Sequence, residues 1–436
     1  MSVKQIQQQR SLPLNATPSH QPLWHLRPIP RLRGRLISLS IALLLLGGSA
    51  LPASLANQRQ LTLITEGWGF NLIRWEVGAI GDKINAFFAK PALALSPNDS
   101  IQLVRDYLAR ANQIRQLEIQ INEAIPTGQP NLESARWQQD LAALRQSQHT
   151  QRETVEQVIE RQVGWALVEA QLDLAGLPAP PVQFTFIEPP KKLVVSSRRQ
   201  IETVYSEMLA AEISRAAVEG IEQRIHDEHD LSAYVTHIGG LGAFPTMVVD
   251  QASLGWILST VAHEWAHNYL SFFPLGLNYL TNGDLTTINE TVAEIVGYEI
   301  GERVRQAFYP EEAPLPKPFA EPEPLSADPL AFDFSIEMRA TRRTVEELLA
   351  LDQVEAAERY MEVRRLYFVE NGYPLRVLNQ AYFAFHGSYA TGPASISPLG
   401  PKLEQLRRLT PNLKTFLVKV RGFDSVADLD EALADP

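Results

Sequence analysis

The chain has 436 residues, of which 45% are hydrophobic and 20% are charged, so it is long enough to form two or three globular domains. It contains no cysteine, which excludes a disulfide framework and any zinc site with thiolate ligands. The formal net charge is −11 at pH 7, and such an acidic chain is not expected to bind nucleic acid through its overall field.

The first 56 residues differ from the rest of the chain because they hold six basic residues and no acidic residue. An apolar run over residues 36–51 follows the basic residues, and Ser54-Leu55-Ala56 offers small residues at the spacing of a signal-peptidase site. We predict that residues 1–56 are either a cleaved signal peptide or an uncleaved signal anchor that contacts the membrane. Both interpretations export the residues that follow, since the basic flank stays in the cytoplasm. The remaining alternative is a buried helix of a soluble protein.

Residues 57–177 are predicted to form a mostly helical segment. Apolar residues recur with a period of about 3.6 between Leu103 and Ile125, and the proline-containing stretch of residues 126–130 ends that pattern. A second long helix is predicted over residues 131–176. Its apolar stripe consists of Val155, Ile159, Val163, Leu167, Ala170 and Leu174. The two helices together predict an α-hairpin that packs on the remaining structure.

After Pro178–Pro181 the apolar period changes to two, which predicts strands. Pro245 is tolerated at the edge of a sheet but not in its centre, so we predict that Phe244, Thr246 and Met247 lie on an edge strand. Strands are expected over residues 182–186, 193–195, 234–238 and 244–249, with a helix over residues 212–228.

The next predicted helix contains the motif H-E-x-x-H. His263 and His267 are four residues apart, so they lie on one helical face and can bind the same metal ion. Glu264 follows the first histidine directly and can take a proton from a water molecule at such a metal. Pro274 and Gly276 are predicted to end the helix. The alternative is two histidines on an ordinary helix without a metal.

A second motif, Asn289-Glu290-Thr291-Val292-Ala293-Glu294, begins 21 residues after this one ends. Over residues 253–301 the chain resembles the gluzincin metallopeptidases, the thermolysin-like clan, which combine H-E-x-x-H with N-E-x-x-x-[D/E]. The resemblance implies a zincin-like α+β domain. It also implies a zinc ion (Zn²⁺) bound by His263, His267 and Glu290, with Glu264 as the general base.

The helix that contains the second motif holds two acidic residues and two glycines whose roles can be predicted. The resemblance implies that Glu294 hydrogen-bonds a zinc-ligating histidine. Thr287-x-x-Glu290 also fits a capping box, in which the glutamate would bind the start of its own helix instead of a metal. Gly297 and Gly301 are four residues apart and would let this helix pack closely against the helix of His263.

The resemblance also suggests where substrate would bind. Zincins bind a peptide along an edge strand just before the active-site helix, which makes Phe244, Thr246 and Met247 candidates for that role. A plain sheet edge is the alternative. Gluzincins usually place a tyrosine or histidine against the oxyanion that develops during hydrolysis. The candidates are Tyr382, His386 and Tyr389 in a C-terminal aromatic cluster, and His237; the alternative for each is a packed aromatic residue.

The C-terminal part begins after a proline-rich stretch, residues 310–329, which is predicted to be a linker. Residues 330–436 are predicted to be mostly helical, with helices over residues 334–349 and 354–369. The predicted catalytic domain, residues 178–309, therefore lies between helical N- and C-terminal segments.

These features predict an exported zinc metallopeptidase that hydrolyses peptide or protein substrates with a zinc-activated water. Two alternatives remain open: a non-catalytic metal-binding scaffold of the cell envelope, and a zinc hydrolase that acts on other bonds. Glu264 favours catalysis over the scaffold, because a purely structural metal site has no need of a base.

Overall fold

The computed structural model describes residues 55–76, 78–79, 95–124, 132–279, 282–319 and 332–435. These residues form both helices and strands, which confirms the predicted mixed α+β class. The basic leader and the whole apolar run of residues 36–51 lie outside the described residues, as does the second half of the predicted linker. Within the described ranges, no helix is long and apolar enough to cross a membrane.

The named helices of the N-terminal part are α1 (Leu55–Ile64), α2 (Pro97–Ala124) and α3 (Leu132–Glu169). Helices α2 and α3 pack along each other as the predicted hairpin, and the α3 stripe from Val155 to Leu167 is buried. The prediction that α3 continues to residue 176 is wrong. The helix ends at Glu169, Gln171 adopts a left-handed backbone with φ 61°, and Leu174 is 74% exposed.

Three of the strands form an antiparallel sheet in the order β5-β4-β6. They are β4 (Lys191–Ser197), β5 (Thr203–Leu209) and β6 (Leu231–Thr236), and helix α4 (Arg215–His229) lies between β5 and β6 in the chain. Apolar residues on one face of β4 pack against α1 and α4 and enclose a small core. Strand β5 was not predicted.

A second sheet has the order β3-β8-β7, with β3 (Phe184–Phe186) parallel to β8 (Thr246–Val248) and β7 (Gly240–Leu241) antiparallel to β8. The prediction of an edge strand at Phe244, Thr246 and Met247 is therefore wrong, because β8 is the central strand and Phe244 precedes it. Pro245 also lies before the first residue of β8, so its missing N–H does not interrupt the pairing of the strand. The short β1 (Asp173–Leu174) and β2 (Leu177–Pro178) form a separate hairpin.

The two outer strands of this second sheet differ in how they are covered. The backbone N–H groups of Phe184 and Phe186 in β3 donate to the carboxylates of Glu160 (3.0 Å) and Glu156 (2.7 Å) on α3. Helix α3 therefore covers the β3 edge. Among the described residues, no strand pairs with the outer edge of β7.

Helices α5 (Leu254–Leu270) and α7 (Gly283–Phe308) form the centre of the molecule, joined by the short α6 (Pro274–Leu277). A Cβ atom on Gly297 would lie 2.7 Å from the Ser259 carbonyl oxygen, and one on Gly301 would lie 2.9 Å from the Ser259 nitrogen. These glycines therefore allow the close packing of the two helices that the sequence predicted. Asn282 is the N-cap of α7, so Glu290 lies well inside the helix and the capping-box interpretation is wrong.

The C-terminal part is helical as predicted. Its helices are α8 (Phe334–Ala350), α9 (Val354–Glu370), α10 (Gln380–His386), α11 (Leu399–Leu409), α12 (Leu413–Val420) and α13 (Val426–Ala434). Buried residues of α11, α12 and α13 share one hydrophobic core with α2, α3, α5 and α7. Packing from both ends of the chain thus holds α5 and α7 in place, while the predicted domain boundaries stay a prediction.

Candidate metal site

Three side chains from α5 and α7 converge where the two helices cross. His263 and His267 bring their Nε2 atoms within 3.0 Å of each other, and each Nε2 lies 3.5 Å from Oε2 of Glu290. The spacing of four residues on α5 creates the pair of histidines, and the packing of α7 adds the carboxylate. This group of His263, His267 and Glu290 could hold a metal ion.

The donor atoms of the group fit a tetrahedral metal ion. Ligands at about 2.0–2.1 Å from a tetrahedral zinc lie about 3.3 Å from one another, which is close to the three separations in this triangle. Oε2 of Glu290 is buried and has no hydrogen-bond partner, and it is the only such side-chain atom among the described residues. An unpaired buried carboxylate oxygen costs free energy unless a cation or a donor meets it. A metal at this point would satisfy it.

The charges of the group favour metal-binding protonation states at Glu290. Burial alone would raise the pKa of Glu290, but the adjacent histidines outweigh it and hold that pKa well below its usual range. Burial alone would lower the pKa of His267, but the Glu290 carboxylate raises it to about 9. A protonated His267 would balance the carboxylate in the absence of a metal, and a metal ion would have to displace that proton.

Neighbouring side chains orient two of the three candidate ligands. His267 Nδ1 donates to Asn289 Oδ1 (2.7 Å), and Asn289 Nδ2 in turn donates to the Leu275 carbonyl (3.2 Å). This bond places the ring proton on Nδ1 and leaves Nε2 as an acceptor for a metal. The Tyr279 hydroxyl donates to Oε1 of Glu290, which leaves Oε2 as the free ligand atom.

Asn289 therefore makes the outer contact that was predicted for Glu294. The Glu294 carboxylate instead accepts a hydrogen bond from Thr391, and neither histidine forms an ion pair with it. Glu294 lies one helical turn beyond Glu290 on α7. Its partner Thr391 belongs to the chain segment that follows α10. Burial raises the pKa of Glu294.

Glu264 is buried beside the metal-binding group but is not part of it. Burial raises its pKa, although the neighbouring histidines oppose that shift. Its carboxylate lies against the backbone of β7: a Cβ atom on Gly240 would be 2.5 Å from Oε1, and one on Gly242 would be 3.3 Å from Oε2. Strand β7 and the candidate general base are thus adjacent.

Three of the four candidates for an oxyanion-stabilising residue make contacts outside the metal-binding group. The centre of the His386 ring lies 4.3 Å from that of Tyr382 in a tilted arrangement, its Nε2 lies 3.4 Å from the Tyr234 hydroxyl, and Tyr382 packs on Tyr234. These two residues are packed aromatics on β6. His237 is 72% exposed and lies 3.8 Å from Glu188, away from the metal-binding group.

Tyr389 is the candidate that lies close to the metal-binding group. Burial raises its pKa, and the negative charges of Glu290, Glu264 and Glu294 raise it further. In contrast, burial and Tyr234 account for the raised pKa of Tyr382. A phenol that stays protonated can donate a hydrogen bond to a developing negative charge.

Three features of the site were not predicted: the roles of Asn289 and Tyr279, and the edge position of β7. The role of Asn289 had a sequence signal, because Asn289 adjoins Glu290 in the second motif. Tyr279 lies in the connection between two helices, where no periodicity reveals its direction. The order of short strands depends on long-range pairing that local sequence does not encode.

Comparison of the chain with protein-family models, with curated proteins and with solved structures found no match.

Proposed function

We propose that this protein is a zinc-dependent metallopeptidase with a zincin-like domain built around α5 and α7. One observation carries the proposal. The unpaired, buried Oε2 of Glu290 faces the Nε2 atoms of His263 and His267, and the non-ligand carboxylate of Glu264 lies beside them. Two histidines and one glutamate with a further open position are a typical donor set of catalytic zinc sites.

The chain's own residues supply the acid–base chemistry for hydrolysis. A zinc ion bound there would lower the pKa of a water molecule and polarise a carbonyl group. Glu264 takes a proton from the attacking water and then passes it to the leaving amine. The burial that raises the pKa of Glu264 makes it a better proton acceptor than an exposed glutamate. The Tyr389 hydroxyl donates to the carbonyl oxygen as it becomes negative.

The position of β7 supports an extended peptide as the substrate. No described strand pairs with its outer edge, and a peptide that paired with Gly240 and Leu241 there would lie near Glu264. This assigns substrate pairing to β7 in place of β8. Substrate binding through backbone hydrogen bonds to a strand fits a peptidase better than a hydrolase for small molecules.

The experiment is the substitution Glu264→Gln, with Glu355→Gln on the exposed face of α9 as the matched control. We expect the Glu264 variant to keep about one zinc per chain and to lose peptide hydrolysis by on the order of 10²–10⁴-fold. The control should match the parent protein in both measurements. Equal hydrolysis by the Glu264 variant would rule out the mechanism. A parent protein that cleaves esters but no peptide would favour the non-peptidase hydrolase.

We also propose that the catalytic part acts outside the cytoplasm, on the basis of the basic leader and the apolar run of residues 36–51. A reporter that is active only outside the cytoplasm, fused after Pro436, should be active. Activity of a cytoplasmic reporter at the same position would contradict export.

A further inference from the structure

Lys192 occupies a position in β4 that directs its side chain toward the candidate site. Along β4, Leu193 and Val195 face the core formed with α1 and α4, whereas Val194 faces α10 and packs with Phe385. Side chains alternate along a strand, so Lys192 shares the α10 face with Val194. Lys191 points to the opposite face, where its Nζ donates to the Ile213 carbonyl (2.9 Å).

Aromatic contacts connect Lys192 to the metal-binding helix. The Lys192 Nζ lies 5.5 Å from the centre of the Phe385 ring, which in turn lies 5.8 Å from the Tyr389 ring. Thr391, two residues further along, donates a hydrogen bond to Glu294 on α7. Lys192, Phe385 and Tyr389 thus form a row of neighbouring side chains that runs from β4 toward the candidate site.

The Lys192 ammonium has no salt bridge and no side-chain hydrogen bond within the described parts of the chain. Burial lowers its pKa, and the charges of Glu290 and Glu264 partly oppose that shift. Both carboxylates already have roles, Glu290 as a metal ligand and Glu264 as a base. A partly buried lysine without a bonded anion is unfavourable in a purely structural role, because its desolvation is only partly compensated. An anionic ligand would compensate it.

We propose that Lys192 binds a carboxylate of the peptide substrate and thereby selects peptides with a negative charge next to the scissile bond. This inference rests on the proposed peptidase function. Phe385 holds the ammonium in place through its ring face. The carboxylate can come from an Asp or Glu side chain or from the C-terminus of the peptide, since both present the same two oxygens.

Equilibrium binding to the inactive Glu264→Gln protein tests this without any turnover. The protein is loaded with zinc, and the probes are octapeptides that carry Glu or Gln at each position in turn. Each octapeptide is made as the free acid and as the C-terminal amide. We expect one carboxylate position to improve binding by about 10- to 100-fold, the range of a charge-assisted hydrogen bond. A Glu-over-Gln preference identifies a side chain, and an acid-over-amide preference identifies the C-terminus.

The added substitution Lys192→Gln should abolish that preference, and Lys192→Arg should restore most of it. Lys191→Gln removes the same charge from the opposite face of β4 and should leave the preference intact. In active protein, Lys192→Gln should raise KM for the preferred peptide and leave kcat nearly unchanged. A preference that survives Lys192→Gln overturns the inference, as does an equal loss of kcat for all peptides, which would place Lys192 at the reaction centre. If no peptide binds the zinc-loaded protein at all, the proposed peptidase function itself fails.

Discussion

The proposed metal-binding side and the proposed substrate side of the candidate site are built in different ways. On the metal-binding side, His263 and His267 come from one turn of α5, and Glu290 comes from the helix packed directly against it. On the substrate side, β7, Tyr389 and Lys192 come from three segments of the chain that are separated by up to about two hundred residues. The first side follows from local spacing, and the second depends on how the whole chain folds.

The difference has a physical consequence. Ligands on adjoining helices are held by a shared core that includes residues from both ends of the chain, so their geometry resists local change. The substrate side uses strand edges and a segment after α10, where single side chains determine the fit. Substitutions on the metal-binding side should therefore remove the metal, whereas those on the substrate side should change turnover or selectivity with the metal retained.

The largest effect is expected from Glu290. Glu290→Gln removes the anionic oxygen that completes the donor set, and zinc affinity should fall by more than the about 10- to 100-fold typical of outer contacts. His263→Ala and His267→Ala should be at least as severe. Titration with a competing chelator measures these affinities.

The outer contacts provide the matched comparison for that series. Asn289→Ala removes the hydrogen bond that orients His267 and should lower zinc affinity by about 10- to 100-fold. Glu294→Gln should do less, because Glu294 bonds Thr391 and not a histidine. If Glu294→Gln releases zinc while Glu290→Gln does not, the third ligand lies one helical turn further along α7.

A smaller effect is expected from Tyr389. Tyr389→Phe should lower kcat by about 10²–10³-fold, the usual loss for one oxyanion donor, with zinc content unchanged. Tyr382→Phe is the control, because Tyr382 packs on Tyr234 away from the metal-binding group. Equal kcat values for the two variants would remove Tyr389 from the reaction.

The smallest of these effects is expected at β7. Gly240→Ala places a Cβ atom 2.5 Å from Oε1 of Glu264, so the carboxylate has to move. A displacement of about 1 Å costs up to about 10²-fold in rate, and zinc should stay bound. Gly220→Ala on α4 meets no atom within 4 Å and serves as the control. Full activity of Gly240→Ala would show that Glu264 does not depend on the glycine backbone of β7.

The sequence predicted the elements whose signal is local. The apolar periods of α2 and α3 and the four-residue spacing of His263 and His267 each lie within one helix, and the structure confirms those helices. Strand β5 was missed because polar residues such as Ser206 and Glu207 interrupt its apolar pattern. Glu207 is satisfied by Thr65, more than a hundred residues earlier, a pairing that no local pattern indicates.

Strand order was the main error, and its cause is long-range. The proline before β8 suggested an edge, but β8 begins one residue later and pairs on both sides. Covering of the β3 edge by Glu156 and Glu160 depends on how α3 packs on the sheet. The predicted ligands were placed together because helix geometry fixes them, whereas the substrate side required the completed fold.

The most direct test is the crystal structure of the purified, zinc-loaded protein with anomalous data at the zinc edge. We expect one zinc ion per chain, bound by Nε2 of His263, Nε2 of His267 and Oε2 of Glu290, with Glu264 outside the ligand shell. A strong zinc peak at any other place, or none between α5 and α7 under conditions in which the protein hydrolyses peptides, would contradict the proposed metal site.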